Sequence, residues 1–186
     1  MDRTGSGRAR RVDAQANRGR ILDIAEEVFG RGGESASTEE VARLAGVGIA
    51  TVFRHFPTKA LLLQAVLVRR FDRLRERAEA KLGAEDPGAA FFEFFRDVVA
   101  DAAAKIAIGE ALLDAGGDSG GEAAQASAGL RRVVGALLQR AQEAGAVRAD
   151  VALPEVYTLL IALSHAAAGD KALAIVIDGL RPQGAV

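Results

Sequence analysis

Two short helical patterns separated by only three residues restrict the possible folds of this chain most strongly. The first follows residues 37–40, STEE, a capping box in which the serine hydroxyl accepts from the amide three residues later and the glutamate carboxylate reaches back. It ends at Gly46, and the second pattern runs from Ile49 to about His55. Pro57 follows, and the residue before a proline is disfavoured in helical conformation. A glycine turn between two short helices predicts a helix-turn-helix unit.

The rest of the chain shows apolar residues at steps of three and four, which is typical of amphipathic helices. The predicted helices are residues 18–30, 58–82, 89–108, 123–144, 154–169 and 173–181. A glycine-rich stretch at 114–121 predicts a loop. No segment has the alternation of a strand, so we predict an all-α protein. The apolar residues expected to pack the two short helices together are Val41, Ala42, Val47, Val52 and Phe56.

The composition excludes several classes of site. The 186 residues contain no Cys, which rules out disulfides, thiolate metal sites and cysteine nucleophiles. The two histidines, His55 and His165, are far apart in sequence and predict no metal site. We find no phosphate-binding glycine motif and no nucleophile with a plausible base, so neither an enzyme nor a cofactor is expected. No apolar run is long enough to span a membrane and no signal peptide is evident, which predicts a cytoplasmic protein without a membrane partner.

Charge is distributed unevenly along the chain. Residues 1–82 carry 16 basic and 11 acidic side chains, a net charge of +5, whereas residues 83–186 carry 8 and 14, a net charge of −6. This asymmetry predicts that the N-terminal part meets a polyanion. Residues 1–17 lack an apolar period and are expected to form a flexible basic arm with arginines at Arg3, Arg8, Arg10 and Arg11.

Residues 38–66, TEEVARLAGVGIATVFRHFPTKALLLQAV, resemble the DNA-binding domain of the TetR family of bacterial transcriptional regulators. Residues 130–151 and 175–182 are similar to that family more weakly. The resemblance implies a tetracycline-repressor-like fold, with a three-helix DNA-binding domain at 18–65 and a helical ligand-binding and dimerisation domain at 66–186. It further implies a homodimeric repressor that binds a pseudo-palindromic operator in double-stranded DNA and is released by a small apolar effector.

The resemblance also assigns DNA-binding residues by position. Those that match contacts to the DNA backbone are Thr38, Thr51, Phe53, His55 and Lys59, and those that match positions facing base edges are Gly48, Ile49, Ala50 and Arg54. Arg54 has two readings, a bidentate bond to guanine O6 and N7 or a bond to phosphate alone. Lys59 follows a threonine cap, where free helix amides and an ammonium can bind one phosphate together.

Three residues depart from the family pattern. Gly48 stands where serine is frequent, Phe53 lacks the hydroxyl of the common tyrosine, and Glu39 places a negative charge beside Thr38. These departures bear on the affinity and sequence preference of DNA binding. The arginines of the N-terminal arm fit either minor-groove contacts or a solubilising tail.

Two apolar sets in the C-terminal half are candidate sites by the same resemblance, which implies that helices 123–144 and 154–168 pair with a second subunit in a four-helix bundle. The candidate dimer interface is Leu130, Val134, Leu137, Leu138, Leu159, Leu160 and Leu163, and the candidate ligand pocket is Phe91, Phe92, Phe95, Tyr157 and His165. Both sets also fit a plain monomer core. The competing functions are a helical enzyme and an interaction protein whose helix-turn-helix is only a scaffold.

Overall fold

The structure is a computed structural model of the chain, and it describes residues 5–32, 36–117, 120–165 and 169–182, without the side chains of 5–12, 102–103 and 165. Its helices are α1 (Gly5–Arg31), α2 (Thr38–Leu44), α3 (Ile49–His55), α4 (Lys59–Lys81), α5 (Pro87–Asp114), α6 (Glu122–Glu143), α7 (Leu153–His165) and α8 (Asp170–Leu180). Every regular element in these ranges is a helix, which confirms the predicted all-α fold. Within the same ranges, no helix combines the length and apolarity needed to cross a membrane.

The first helix begins earlier than the sequence predicted. We expected residues 1–17 to be a flexible arm, but α1 starts at Gly5. Arginine, alanine and glutamine are good helix formers, and no proline interrupts this stretch, so the helix continues toward the N-terminus. A single glycine, Gly19, does not stop it. Arg3 and the side chains of Arg8, Arg10 and Arg11 lie outside the described part.

The chain divides into two compact units. The first contains Met1–Leu67 and Ala104–Ser119, and the second contains Val68–Ala103 and Gly120–Val186. The C-terminal turns of α5 therefore belong with the helix-turn-helix, whereas we expected them in the C-terminal domain. Gly30 explains this packing, because a Cβ there would lie 3.2 Å from the Cβ of Ala104, and Ile108 one turn later is fully buried.

The core of the first unit uses the residues that the apolar spacing predicts. On α1 the buried positions recur at steps of three and four, as expected for a helix with one apolar face. The buried apolar residues of this core on α1 and around the two short helices are Ile21, Leu22, Ala25, Val28, Phe29, Val41, Ala42, Ala45, Val52 and Phe56. Val47 in the turn is half-buried.

The second unit has a core of aromatic and aliphatic residues from α5 to α8. Its N-terminal α5 segment begins at Pro87, a residue suited to the first helical position, and Asp86 caps it by accepting from the Ala89 amide at 2.9 Å. A single apolar stripe on α6 packs inward. The buried apolar residues of these helices in the second unit include Phe91, Phe94, Phe95, Leu130, Val134, Leu137, Leu138, Val156, Leu160 and Ile177.

Candidate functional site

The turn between α2 and α3 has the geometry that its glycines allow. Gly46 has a φ of 66°, a left-handed conformation that other residues adopt at a cost. The Val47 amide then donates to the Ala42 carbonyl at 3.0 Å, and the Gly48 carbonyl accepts from the Thr51 amide at 2.8 Å, which starts α3. The predicted helix-turn-helix is therefore present, with α3 as its second helix.

The capping box before α2 forms only in part. Ser37 Oγ accepts from the Glu40 amide at 3.1 Å, as predicted. The Glu40 carboxylate does not reach back; it accepts two hydrogen bonds from Arg43, at 2.7 and 2.6 Å. These bonds lower the pKa of Glu40. They also pair the charge of Arg43 with a carboxylate of the same helix.

The outer face of α3 carries most of the predicted DNA-binding residues. Val52 is fully buried against the core, so the opposite side of the helix faces outward. Ile49 and Phe53 are 37% and 41% exposed, so this face presents two large apolar side chains. The other members of this face are the exposed Gly48, Ala50 and Arg54 and the half-buried Thr51 and His55.

Thr38 differs from the other predicted contacts. It is only 6% exposed, because the first residue of α2 packs into the unit. Its side chain therefore offers little surface to a partner, and the exposed residue of this turn is Glu39. The resemblance assigned a role by position and could not show this burial.

Two cations of the first unit lie over aromatic rings of its core. Lys59 Nζ is 5.1 Å from the ring centroid of Phe29, and the Arg18 guanidinium carbon is 4.9 Å from that of Phe56. A cation over an aromatic face is held electrostatically, so both charges have preferred positions. Lys59 begins α4 after the predicted cap, in which Thr58 Oγ accepts from the Leu61 amide at 3.1 Å. Sequence reasoning missed Arg18, since no local pattern pairs a cation with a distant ring.

The predicted aromatic pocket is filled by its own side chains. Phe91, Phe92 and Phe95 are at most 4% exposed, and the ring of Phe91 lies 5.4 Å from that of Phe92 and 6.3 Å from that of Phe95. These rings therefore form core. Tyr157 is instead covered by Arg131, whose guanidinium carbon is 4.5 Å from its ring centroid. Burial raises the pKa of Tyr157, and its hydroxyl meets no hydrogen-bonding group among the described residues. The side chain of His165 lies outside them.

An open groove in the second unit has a different lining from the apolar pocket that we expected. Its volume is about 570 Å³, and it lies between α4 and α6. Arg75 donates to Glu79 at 2.7 Å along one wall, and its Cδ lies 3.5 Å from where a Cβ on Gly129 would be. The lining residues are Val68, Asp72, Arg75, Glu79, Glu122, Gln125, Ala126, Gly129, Arg132 and Val133.

The residues predicted for the dimer interface are mostly core residues of a single chain. Leu130, Val134, Leu137, Leu138, Leu160 and Leu163 are 1–7% exposed, and Leu159 is half-buried. A side chain already covered by its own chain has little surface left for a second copy, so the burial of these residues fits the monomer-core alternative. The large apolar residues that α7 and α8 do expose are Ile161, at 53%, and Ile175, at 64%.

Solved structures share this fold along most of the chain. A TetR transcription regulatory protein from Mycobacterium vanbaalenii is 41% identical, with a TM-score of 0.77 over 92% of this chain and 99% of that one. The regulator SCO0520 from Streptomyces coelicolor is 29% identical, with a TM-score of 0.72 over 90% of this chain and 99% of that one.

Curated relatives match a shorter segment. The HTH-type transcriptional regulator SAR0097 of Staphylococcus aureus (strain MRSA252) is 37% identical over 70 residues, 36% of each chain. The HTH-type transcriptional activator FasR of Mycolicibacterium smegmatis is 39% identical over 71 residues, 38% of this chain and 32% of that one. The chain thus matches about a third of the length of these relatives.

Family models match both parts of the chain. Residues 21–66 match the model of bacterial regulatory proteins of the tetR family, which includes the helix-turn-helix. Residues 86–182, more than half of the chain, match the C-terminal domain of SbtR-like transcriptional regulators. With the helix-turn-helix, the all-helical fold and these matches together, the chain belongs to the TetR family of DNA-binding transcriptional regulators.

Proposed function

We propose that this regulator binds a pseudo-palindromic operator in double-stranded DNA as a homodimer and represses transcription until a small effector releases it. The observation that carries the proposal is the outer face of α3, where two large apolar side chains and an arginine remain exposed beside a buried core face. A helix of this kind fits the major groove, with its N-terminal residues at base edges. Such binding places the protein with the chromosome, in the bacterial cytoplasm.

Each residue of the α3 face has a role that suits its chemistry. Ile49 and Ala50 present methyl groups to a thymine methyl, and Arg54 presents paired donors to a guanine or a phosphate. The residues proposed to contact the DNA backbone are Thr51, Phe53, His55 and Lys59, while Gly48 lets the helix approach closely. Thr38 contributes at most at the edge of the contact, because it is buried.

Dimerisation is proposed through the exposed apolar residues of α7 and α8. Ile161 and Ile175 are the large apolar side chains that these helices leave uncovered. A two-fold dimer places two recognition helices about one helical turn of DNA or a multiple of it apart, which is why a pseudo-palindromic operator is expected.

The effector is proposed to bind in the second unit. The groove between α4 and α6 is lined by charged and amide side chains, so it favours a ligand with polar groups over the purely apolar ligand that the sequence implied. Such a ligand lowers DNA affinity if it binds better to a conformation that fits the operator less well. Repression is the expected direction of regulation, and a promoter fusion carrying the operator tests it.

Selection from random duplex DNA with the purified chain tests the proposed function. The enriched sequence is then titrated at about 50 and about 200 mM salt, between which a protein with several phosphate contacts loses orders of magnitude in affinity. We expect a pseudo-palindrome and a steep salt dependence. If no sequence is enriched over the starting pool at either salt concentration, the proposal is wrong and the scaffold reading is favoured.

A further inference from the structure

The cations of the first unit differ in how their charges are held. Arg31 and Arg43 each pair with a glutamate of their own helix. By contrast, Arg18, Arg54 and Lys59 pair with no carboxylate in the part of the chain that the structure describes. A cation already bound to a carboxylate contributes little to the attraction of a polyanion, so the second group is the one whose charge acts on DNA.

The three cations without a carboxylate lie around one end of α3. Arg54 belongs to the last turn of α3, and Lys59 begins α4 three residues after Phe56, the residue that caps α3 at its C-terminus. Arg18 comes from α1, but its guanidinium carbon lies 4.9 Å from the ring centroid of Phe56. The tertiary structure therefore brings a third cation to the C-terminal end of the helix proposed to enter the major groove.

The place of Arg18 on α1 keeps its charge exposed. Side chains three and four positions apart are neighbours on a helix. For Arg18 these neighbours are Ala14 and Gln15 on one side and Ile21 and Leu22 on the other, so no carboxylate of α1 lies beside it on the same face. The first two are exposed and the last two are buried. Arg18 thus lies at the edge of the core, in contact with an aromatic ring and open to solvent.

The ring of Phe56 positions the guanidinium of Arg18 without using its hydrogen bonds. Phe56 is only 3% exposed, so the core fixes the ring. A guanidinium attracted to an aromatic face keeps its N–H donors, which lie in its own plane. A phosphate accepts from such a planar fork through two parallel bonds. Because the ring already restricts the arginine side chain, less conformational freedom is lost when a phosphate binds.

We propose that Arg18 is a further DNA-binding residue, which donates to a backbone phosphate beside the C-terminal end of α3 from the position where Phe56 holds it. The DNA-binding residues assigned by resemblance all lie between Thr38 and Lys59 and do not include it. The inference rests on the DNA binding in the function proposed above. It does not depend on the operator sequence, because a phosphate contact carries no base information.

Titration of a non-specific DNA duplex over a range of salt concentrations tests the contact. Arg18→Met removes the charge and keeps an unbranched side chain beside the ring. Arg20→Met is the matched control, because Arg20 is also an exposed arginine of α1 but donates to Asn17. Two residues along a helix correspond to a rotation of about 200°, so Arg20 lies on a different side of α1. Arg18→Lys keeps the charge.

We expect Arg18→Met to lower the steepness of log affinity against log salt by about 1, the loss of one phosphate contact. Between about 50 and about 200 mM salt, its affinity should therefore fall about fourfold less than that of the wild type. Arg20→Met should keep the wild-type slope, and Arg18→Lys should restore it. If Arg18 only stabilised the fold, its loss would lower the affinity equally at every salt concentration, and circular dichroism without DNA would show the destabilisation.

Neutral phosphates in the DNA locate the contact. A single uncharged methylphosphonate is placed at successive positions of the enriched operator. At the phosphate that Arg18 contacts, this change should weaken the wild type and leave the affinity of Arg18→Met unaltered, since the interaction is already lost. If the two effects add at every position, Arg18 contacts no phosphate and the inference is overturned.

The salt titration separates failure of the inference from failure of the proposed function. A wild-type slope in Arg18→Met overturns the inference, whatever its affinity, and so does an equal decrease in Arg20→Met, which would reflect net charge alone. Both outcomes leave the proposed function intact. If the wild type binds no duplex at any salt concentration, both fail. If it binds duplex DNA but enriches no operator, only the proposed function fails, and the slopes still decide the role of Arg18.

Discussion

Arg54 lies on the outer face of α3, and among the described residues its side chain makes one hydrogen bond, to Thr51. Its Nη2 is 3.3 Å from Thr51 Oγ1, a long bond that engages one donor of the guanidinium. The remaining donors keep the planar fork that matches the O6 and N7 acceptors of guanine. Both readings of Arg54, base edge and phosphate, therefore stay open on this geometry.

Replacing Arg54 with Ala distinguishes these readings. If Arg54 contacts a guanine, the variant loses about 1–3 kcal/mol of discrimination at one base pair of each half-site. Repeating the selection with Arg54→Ala should then return the same pseudo-palindrome with one relaxed position. A uniform fall in affinity with an unchanged preferred sequence would assign Arg54 to phosphate instead.

Lys59→Ala should weaken binding to all sequences alike. The ammonium is held over the Phe29 ring at the start of α4, where free helix amides also attract a phosphate. Loss of one phosphate contact lowers the slope of log affinity against log salt by about 1. Lys171→Ala on the exposed start of α8 serves as control and should leave the slope unchanged. Equal slopes for the two variants would contradict the anion-binding role of Lys59.

The short helices were predictable because their signals are local. A capping serine, a glycine turn and a following proline fix the ends of α2 and α3 within a few residues of sequence. Our predicted start of α1, at residue 18, was wrong because it also relied on a local signal. Residues 5–17 lack an apolar period, yet no proline there ends the helix. The packing of the last turns of α5 with the first unit depends on distant partners, which no local pattern reveals.

Two glycines of α5 predict opposite effects on helix stability. A Cβ at Gly88 would overlap with the Cβ of Ala146, whereas a Cβ at Gly109 meets nothing within 4 Å. Gly88→Ala should therefore lower the free energy of unfolding by about 1–3 kcal/mol through overpacking. Gly109→Ala should raise it by up to about 1 kcal/mol, because alanine loses less conformational entropy in a helix. Urea denaturation of the two variants checks the signs, and destabilisation by both would show that Gly109 has an unrecognised neighbour.

At the scale of the whole molecule, apolar spacing shows which residues are covered but not what covers them. The leucines of α6 and α7 that we expected at a dimer interface, and the phenylalanines expected in a pocket, are core of the second unit. Both sets obey the same helical period as interface residues do. Only the tertiary structure shows that these residues are buried and that Ile161 and Ile175 are exposed.

Charged substitutions at those isoleucines test the proposed dimer. Ile161→Glu together with Ile175→Glu should shift the protein from dimer to monomer in sedimentation velocity, because a desolvated carboxylate disfavours an apolar contact. The thermal midpoint measured under monomeric conditions should change little, since both residues are exposed in the single chain. Leu113→Glu, at a position 67% exposed in the first unit, is the control. A double variant that stays dimeric would place the interface elsewhere.

Three ion pairs join α4 to α5, namely Arg70–Asp101, Arg77–Asp97 and Lys81–Glu93, and they bear on how the protein searches a chromosome. Attraction to arbitrary DNA comes from cations that displace counterions from phosphates, and a side chain already bound to a carboxylate contributes little to it. Three of the basic residues that contribute to the net positive charge of residues 1–82 are paired in this way. The net charge counted along the sequence therefore overestimates the affinity of this part of the protein for non-specific DNA. A copy of this regulator should spend less time on the many competing sites of a genome than its sequence implies, which leaves more copies free to occupy the operator.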